Sequence, residues 1–159
     1  LQAKQKNKYT IMDQLQQLAK IAFASTYSFA LKAQNFHWNV EGSDFFEYHA
    51  LFEKIYDEVY GVVDDFAENI RKLKTYTPAS LSRFNMLTQV KDETDIIPLG
   101  AMVQELLVDN ERMIVILKKT YDAAEAEGKH GFSNFLAERM DAHEKHGWML
   151  RASSKGGTQ

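Results

Sequence analysis

Only two prolines, Pro78 and Pro98, interrupt this chain, and they bound much of a single linking region. Proline removes a backbone donor and clashes with the turn before it, so it ends or kinks a helix. Everywhere else the chain is free to run in long helices, and Gly42, Gly128 and Gly131 fall where breaks between them are expected. Thr10 and Asp13 form a capping-box pattern opening "TIMDQLQQLAKIAFASTYSFALKAQNFHW". Ile11, Leu15, Leu18 and Ala22 then recur at helical spacing, which predicts a first helix to about residue 38.

"NVEGSD" breaks that helix, and Ser43 or Asp44 caps a second one running to roughly Leu73. "KTYTPASLSRFNMLTQVKDETDII" is long for a connection between helices. Within it, "PASLSRFNML" has Pro78 at a plausible first-turn position and predicts a short helix. Pro98 opens a third long helix ending before Gly128, "GKHG" is a turn, and a fourth helix covers about 132 to 151. Simple up-down bundles have short loops throughout, so four long helices with one long link between the second and third imply an all-α, ferritin-like four-helix bundle. A short extra helix lies in its crossover.

At 159 residues and 45% hydrophobic, the chain suits one domain, residues 1–159, with a sizeable core. Residues 1–9 are expected to form a flexible basic arm and 152–159 a flexible tail. No apolar run approaches the ~18 residues of a membrane span. "LQAKQKNKYT" lacks the apolar stretch of a signal peptide and an initiating Met, so a few residues are expected to have been trimmed. The absence of cysteine excludes disulfides and thiolate metal sites. A cytoplasmic protein without a membrane partner is expected. The net charge of −3 exerts no global pull on nucleic acid.

The stretch "HALFEKIYDEVYGVVDDFAE" carries two polar pairs, His49 with Glu53 and Asp64 with Glu68, each spaced one helical turn apart. The pairs are separated by roughly 16 Å at 1.5 Å per residue, too far for one metal ion. On one straight helix all four lie within about 100° around the axis. Both cross-pairings, His49 with Glu68 and Glu53 with Asp64, share a midpoint between Glu58 and Val59. Two copies packed antiparallel about a two-fold axis there would complete two identical sites. Gly61 and Tyr60 fall near that axis, where a glycine permits close approach.

His37, in "NFHWN", precedes the loop that folds the chain back and can reach the start of the second helix. Two imidazoles and three carboxylates suit Fe(II), Mn(II) or Zn(II), and anionic oxygen also tolerates Fe(III). The same residues fit a second reading, a structural oligomer with a salt-bridged dimer seam and histidines packed on Trp38 and Tyr60.

"NFHWNVEGSDFFEYHALFEKIYDEVYGVVDDFAE" resembles the ferroxidase segment of the Dps-type mini-ferritins, the DNA-binding proteins from starved cells. The family's spacing of His, His, Asp or Glu, Asp and Glu is met by His37, His49, Glu53, Asp64 and Glu68. "TPASLSRF" and the closing "HEKHGWMLRA" carry the resemblance over nearly the whole chain. It implies a shell of twelve subunits with di-iron sites at two-fold interfaces. Asp64 and Glu68 would bind the first iron with His37 of a second copy, and Glu68 would bridge toward His49 and Glu53 of that copy. Fe(II) would be oxidised there, preferably by hydrogen peroxide and otherwise by oxygen, and the ferric product stored inside. Tyr60, Trp38 and Trp148 are candidates for absorbing stray oxidising equivalents, although aromatics at helical spacing are more often core.

Two departures stand out. The third position is most often Asp in the family and is Glu53 here, and the stretch that would line an acidic three-fold pore offers only Glu138 beside His130, Ser133 and Asn134. Glu127 and His130 form a Glu-x-x-His pair in a turn, and His143 and His146 are expected on a solvated face. Lys4, Lys6 and Lys8 are the candidate DNA contacts, with Arg151 and Lys155 at the other end. A DNA-compacting, nucleoid-associated protein is therefore a further alternative.

Overall fold

A computed structural model describes residues 10–155. These residues are all-helical, in the order α1 (Ile11–Asn39), α2 (Phe45–Tyr60), α3 (Val63–Lys72), α4 (Leu81–Leu87), α5 (Leu99–Ala126) and α6 (His130–Ser154). Helix α1 packs on α2 and α5, α5 on α6, and the short α4 lies across α1. This is the ferritin-like bundle, with α2 and α3 together forming its second long rod. The expected basic arm lies outside the described residues.

The capping box at the start of α1 is present. Thr10 N–H donates to Asp13 Oδ2 (2.9 Å), and Asp13 N–H donates to Thr10 Oγ1 (3.0 Å). The buried stripe of α1 runs through Leu15, Ala19, Ala22, Phe23, Phe29, Ala30, Ala33 and Phe36, small residues interleaving with phenylalanines. Ile11, expected on this stripe, is exposed, and Met12 beside it is the residue of the first turn that packs against the core. Phe66 meets Phe23 (5.6 Å) and Phe135 (5.3 Å) edge to face, tying α3 to α1 and α6. Full burial of such a ring contributes roughly 1.5–3 kcal/mol.

Four sequence boundaries need correction. The second helix is not continuous: Val62 (φ −106°, ψ 0°) leaves helical geometry, and its N–H reaches Val59 O in a tightened turn (3.3 Å) before α3 resumes. Pro78 stands outside α4, whose N-cap is Ser80; its hydroxyl accepts from Arg83 N–H. The last helix begins at His130 rather than 132. It also extends to Ser154, so residues 152–154 are helix and not tail.

Candidate metal centre

The Val40–Asp44 connection turns the chain back on itself. Val40 N–H closes α1 on Phe36 O (3.0 Å), and Gly42 takes φ +125°, a conformation other residues rarely adopt. Helix α2 then runs back along α1 and sets His49 against His37. The rings stack 3.7 Å apart at 15°, and Phe45 stacks on the other side of His49 at 4.8 Å. Each histidine bonds the other's backbone: His37 Nδ1 to His49 O and His49 Nδ1 to His37 O, both at 2.7 Å.

That reciprocity assigns the tautomers. A carbonyl oxygen only accepts, so each Nδ1 carries the proton, and in the neutral ring Nε2 keeps the free lone pair. An imidazole held through Nδ1–H to a backbone carbonyl is the arrangement in which histidine ligates metals. His37 is buried and His49 half-buried.

The carboxylates behave differently. Glu53, Asp64 and Glu68 are all exposed, and none of them donates to or accepts from another side chain in the hydrogen bonds and ion pairs of the described residues. Among the described residues, no three His, Asp or Glu side chains converge on a point that could hold a metal ion. One chain thus brings His37 and His49 together and leaves the three carboxylates apart on the surface. The break at Gly61–Val62 falls between the two polar pairs, so the single straight axis assumed from sequence is two helical segments.

At the level of the expected midpoint Val59 is fully buried and Glu58 faces the bundle, whereas Asp57 and Gly61 are exposed.

Glu58 belongs to a cluster that the sequence reading missed. Arg139 of α6 pairs with it through both guanidinium ends, Nη2 to Oε1 at 2.9 Å, and His146 Nε2 bonds Oε1 at 2.8 Å. Burial pushes the Glu58 carboxyl up, but hydrogen bonds from His146 and Arg139 outweigh it and hold the pKa at about 2. His143 is fully buried; its Nδ1–H donates to Asn110 Oδ1 (2.9 Å), and Asn110 Nδ2 donates to His143 O (2.7 Å). Burial first, then the charges of Arg139 and His146, push the His143 pKa well down. The solvated face expected for His143 and His146 is therefore wrong. Their spacing with Arg139 and Gly147 on one face of α6 was the available signal. A Cβ at Gly147 would crowd this cluster, standing 3.0 Å from Asn110 Nδ2.

Lys32 was likewise missed. It is buried between Asp109 (2.7 Å) and Glu105 (3.0 Å), which raise its pKa against the opposing effect of burial. Glu127 and His130 straddle Gly128 (φ +67°), and His130 faces Glu125 at 3.4 Å instead. In the expected pore stretch Asn134 Nδ2 donates to Glu138 Oε1 (3.2 Å), and Ser133 is buried. Trp38 and Trp148 are exposed rather than core.

Four long helices, a long crossover carrying a short helix, and histidine and carboxylate pairs at one-turn spacing define a ferritin-like protein. The family model described as a ferritin-like domain matches residues 12–155. The chain is 34% identical over 123 residues to the DNA protection during starvation protein of Helicobacter pylori, covering 77% of this chain and 85% of that one. It is 32% identical over 135 residues to an uncharacterized low temperature-induced protein of Nostoc, covering 84% of this chain and 75% of the relative. A Dps protein from Bacillus brevis superposes with a TM-score of 0.86 at 29% identity, covering 92% of this chain and 98% of its own. The chain belongs to the ferritin-like family as a Dps-type mini-ferritin.

Proposed function

We propose that this chain is a ferroxidase and iron store whose sites are completed between two copies, within a hollow shell of twelve. The observation that carries this reading is the His37–His49 pair, each ring held through Nδ1 with Nε2 unbonded, in a chain whose Glu53, Asp64 and Glu68 have no side-chain partner among the described residues. Asp64 and Glu68 of one copy would hold the tighter Fe(II) with His37 of the other. Glu68 would bridge to a second iron near His49 and Glu53 of that copy.

Iron is the substrate. Two Fe(II) give one electron each to hydrogen peroxide, which with two protons leaves as two waters, and the Fe(III) formed passes to a mineral inside the shell. Carboxylate oxygens favour this step because their charge offsets that of Fe(III) better than water does. Molecular oxygen is the alternative oxidant, and Zn(II) or Mn(II) would compete for the same donors. Removal of iron and peroxide together protects DNA, a role supported by the names of the Helicobacter pylori and Bacillus anthracis relatives. No helix among the described residues is long and apolar enough to cross a membrane, in keeping with the proposed cytoplasmic placement. Direct DNA contact through Lys4, Lys6 and Lys8, and with it nucleoid placement, is a subsidiary proposal; these lysines lie outside the described residues.

Complementation tests the shared site. A chain with His37→Ala and His49→Ala is co-assembled with one carrying Asp64→Ala and Glu68→Ala. In a mixed pair one site lacks every altered ligand and the other keeps them all. Each variant alone should fail to oxidise Fe(II), and the mixture should regain activity. A mixture as inactive as its parts sinks the shared site.

A further inference from the structure

The interior cluster on α6 has two loose ends. His143 is fully buried and His146 is 3% exposed, yet one ring nitrogen of each has no partner among the described residues: His143 Nε2 and His146 Nδ1. A buried polar atom left unpaired loses its bond to water without replacement, so each such atom calls for a ligand. The opposite nitrogens are taken. His143 Nδ1–H donates to Asn110 Oδ1 and His146 Nε2 bonds Glu58 Oε1, so neither ring can turn over without breaking a bond. The two rings lie one turn apart on α6 and stand at 88° to one another, with centroids 5.6 Å apart. Two hydrogen bonds of about 2.9 Å through one shared atom span nitrogens up to roughly 6 Å apart, which suits that spacing. Phe29 of α1 meets the His143 ring edge to face at 5.2 Å and offers it no donor.

We propose that the bundle interior binds one water between His143 Nε2 and His146 Nδ1. It closes a hydrogen-bonded chain, Asn110–His143–water–His146–Glu58, that runs from α5 through α6 to α2. The chemistry of the two nitrogens selects the ligand. His143 Nε2 is a bare lone pair while Nδ1 keeps the proton, so the ligand must donate to it. At His146 the demand depends on the charge of the ring, because Nδ1 is a lone pair in the neutral form and an N–H in the imidazolium. Water donates or accepts, so it serves both forms, and two polar partners are enough to hold a buried water. A metal cation takes lone pairs alone. Here it would also sit beside Arg139, whose charge Glu58 already balances, and so would be buried without a counter-charge. Burial and the charges of Arg139 and His146 push the His143 pKa down, which keeps Nε2 an acceptor. Seated in this way, the water fixes the His146 ring with Nε2 toward Glu58, and the Glu58–Arg139 pair is held from both sides.

The test is a high-resolution crystal structure of the assembled protein, with further crystals soaked in Zn(II) or in anaerobic Fe(II) and recorded at the absorption edge of the metal. Wild type should show a single density peak within hydrogen-bond distance of both nitrogens, with no anomalous signal there after either soak. An anomalous peak between the two rings would make this a metal site and overturn the water. Rings with no density between them, or with protein partners at both nitrogens, overturn the site altogether. Solid-state NMR of the sedimented assembly, labelled with 15N-histidine, gives a second readout. His143 should be the Nδ1–H tautomer, with its Nε2 correlated to water protons. His146→Phe keeps a ring of similar shape but removes one of the two partners of the water, and should abolish that correlation. An undiminished correlation in the variant shows that the water does not bridge, and wild-type His143 as the Nε2–H tautomer rules the water out even where the variant fails to assemble. None of these outcomes depends on the ferroxidase reading.

Discussion

The second rod of the bundle carries acids on two faces that could hardly be treated more differently. Glu58 points inward and is gripped by Arg139 and His146, with every carboxylate oxygen committed. Glu53, Asp64 and Glu68 are exposed and form no ion pair among the described residues. A carboxylate that serves the fold brings its partner within the chain, because a buried charge without one is costly. Acids exposed at one-turn spacing without an ion pair among the described residues, on the rod that also carries His49, are what the proposed metal centre needs. The difference separates structure from function on a single helix pair.

Breaking the inner face should have the largest effect. Arg139→Ala leaves Glu58 facing His146 alone, and loss of one partner from a buried pair costs about 3–5 kcal/mol. Because Glu58 is 34% exposed, the lower end is expected. Chemical denaturation of the assembled protein checks this, and iron affinity per folded site should be preserved. The outer face should respond in the opposite sense. Glu68→Ala should slow Fe(II) oxidation on the order of 100-fold, the upper range for loss of even an outer-sphere metal partner. Its thermal midpoint should stay level or rise, since neighbouring acids repel when no metal is bound. A stability loss like that of Arg139→Ala would erase the distinction.

Acid should act first on the inner face. The His143 pKa is pushed down by burial and by Arg139 and His146, while Glu58 pulls the other way. A base depressed in the fold takes up a proton on unfolding, so its stabilisation is complete above its ordinary value of about 6.5 and is lost as pH falls below it. Glu58, held at about 2, adds a second decline as pH drops below 4.5 toward 2. Stability measured against pH should therefore start to fall near 6.5, and His143→Gln should reduce the part of the decline between 6.5 and 4.5. An unchanged profile in that variant would mean that His143 does not govern it.

Local chemistry explains which of these features could be read in advance. The capping box, the Pro98 start of α5 and the spacing of the outer acids are short-range patterns, and each stands in the sequence as residues one or two turns apart. The interior cluster joins Glu58 to residues on α5 and α6, so its members are neighbours only after the bundle closes. His143 and His146 look like any polar pair on a helix until Asn110 and Glu58 are set against them. The break at Val62 escaped for another reason: a single residue with φ −106° between two helical segments leaves no proline or left-handed glycine as a marker. The proposed metal centre is legible only as an incomplete pattern, which the proposed function completes with a second chain.

The smallest effect expected is also the sharpest test of the outer face. Glu53 is exposed on α2 one turn beyond His49, and its carboxylate reaches one methylene farther than an Asp there would. In the proposed site, shortening it by Glu53→Asp should draw the second iron closer to His49 without altering the first, assigned to Asp64, Glu68 and His37. Oxidation rates at saturating iron should then change little. At one Fe(II) per subunit, however, the iron should pair up more often, because tighter second-site binding makes doubly loaded sites more numerous at the expense of single ones. The measured ratio of Fe(II) oxidised to peroxide consumed should shift toward two. A ratio indistinguishable from wild type would show that the added methylene does not set second-site loading.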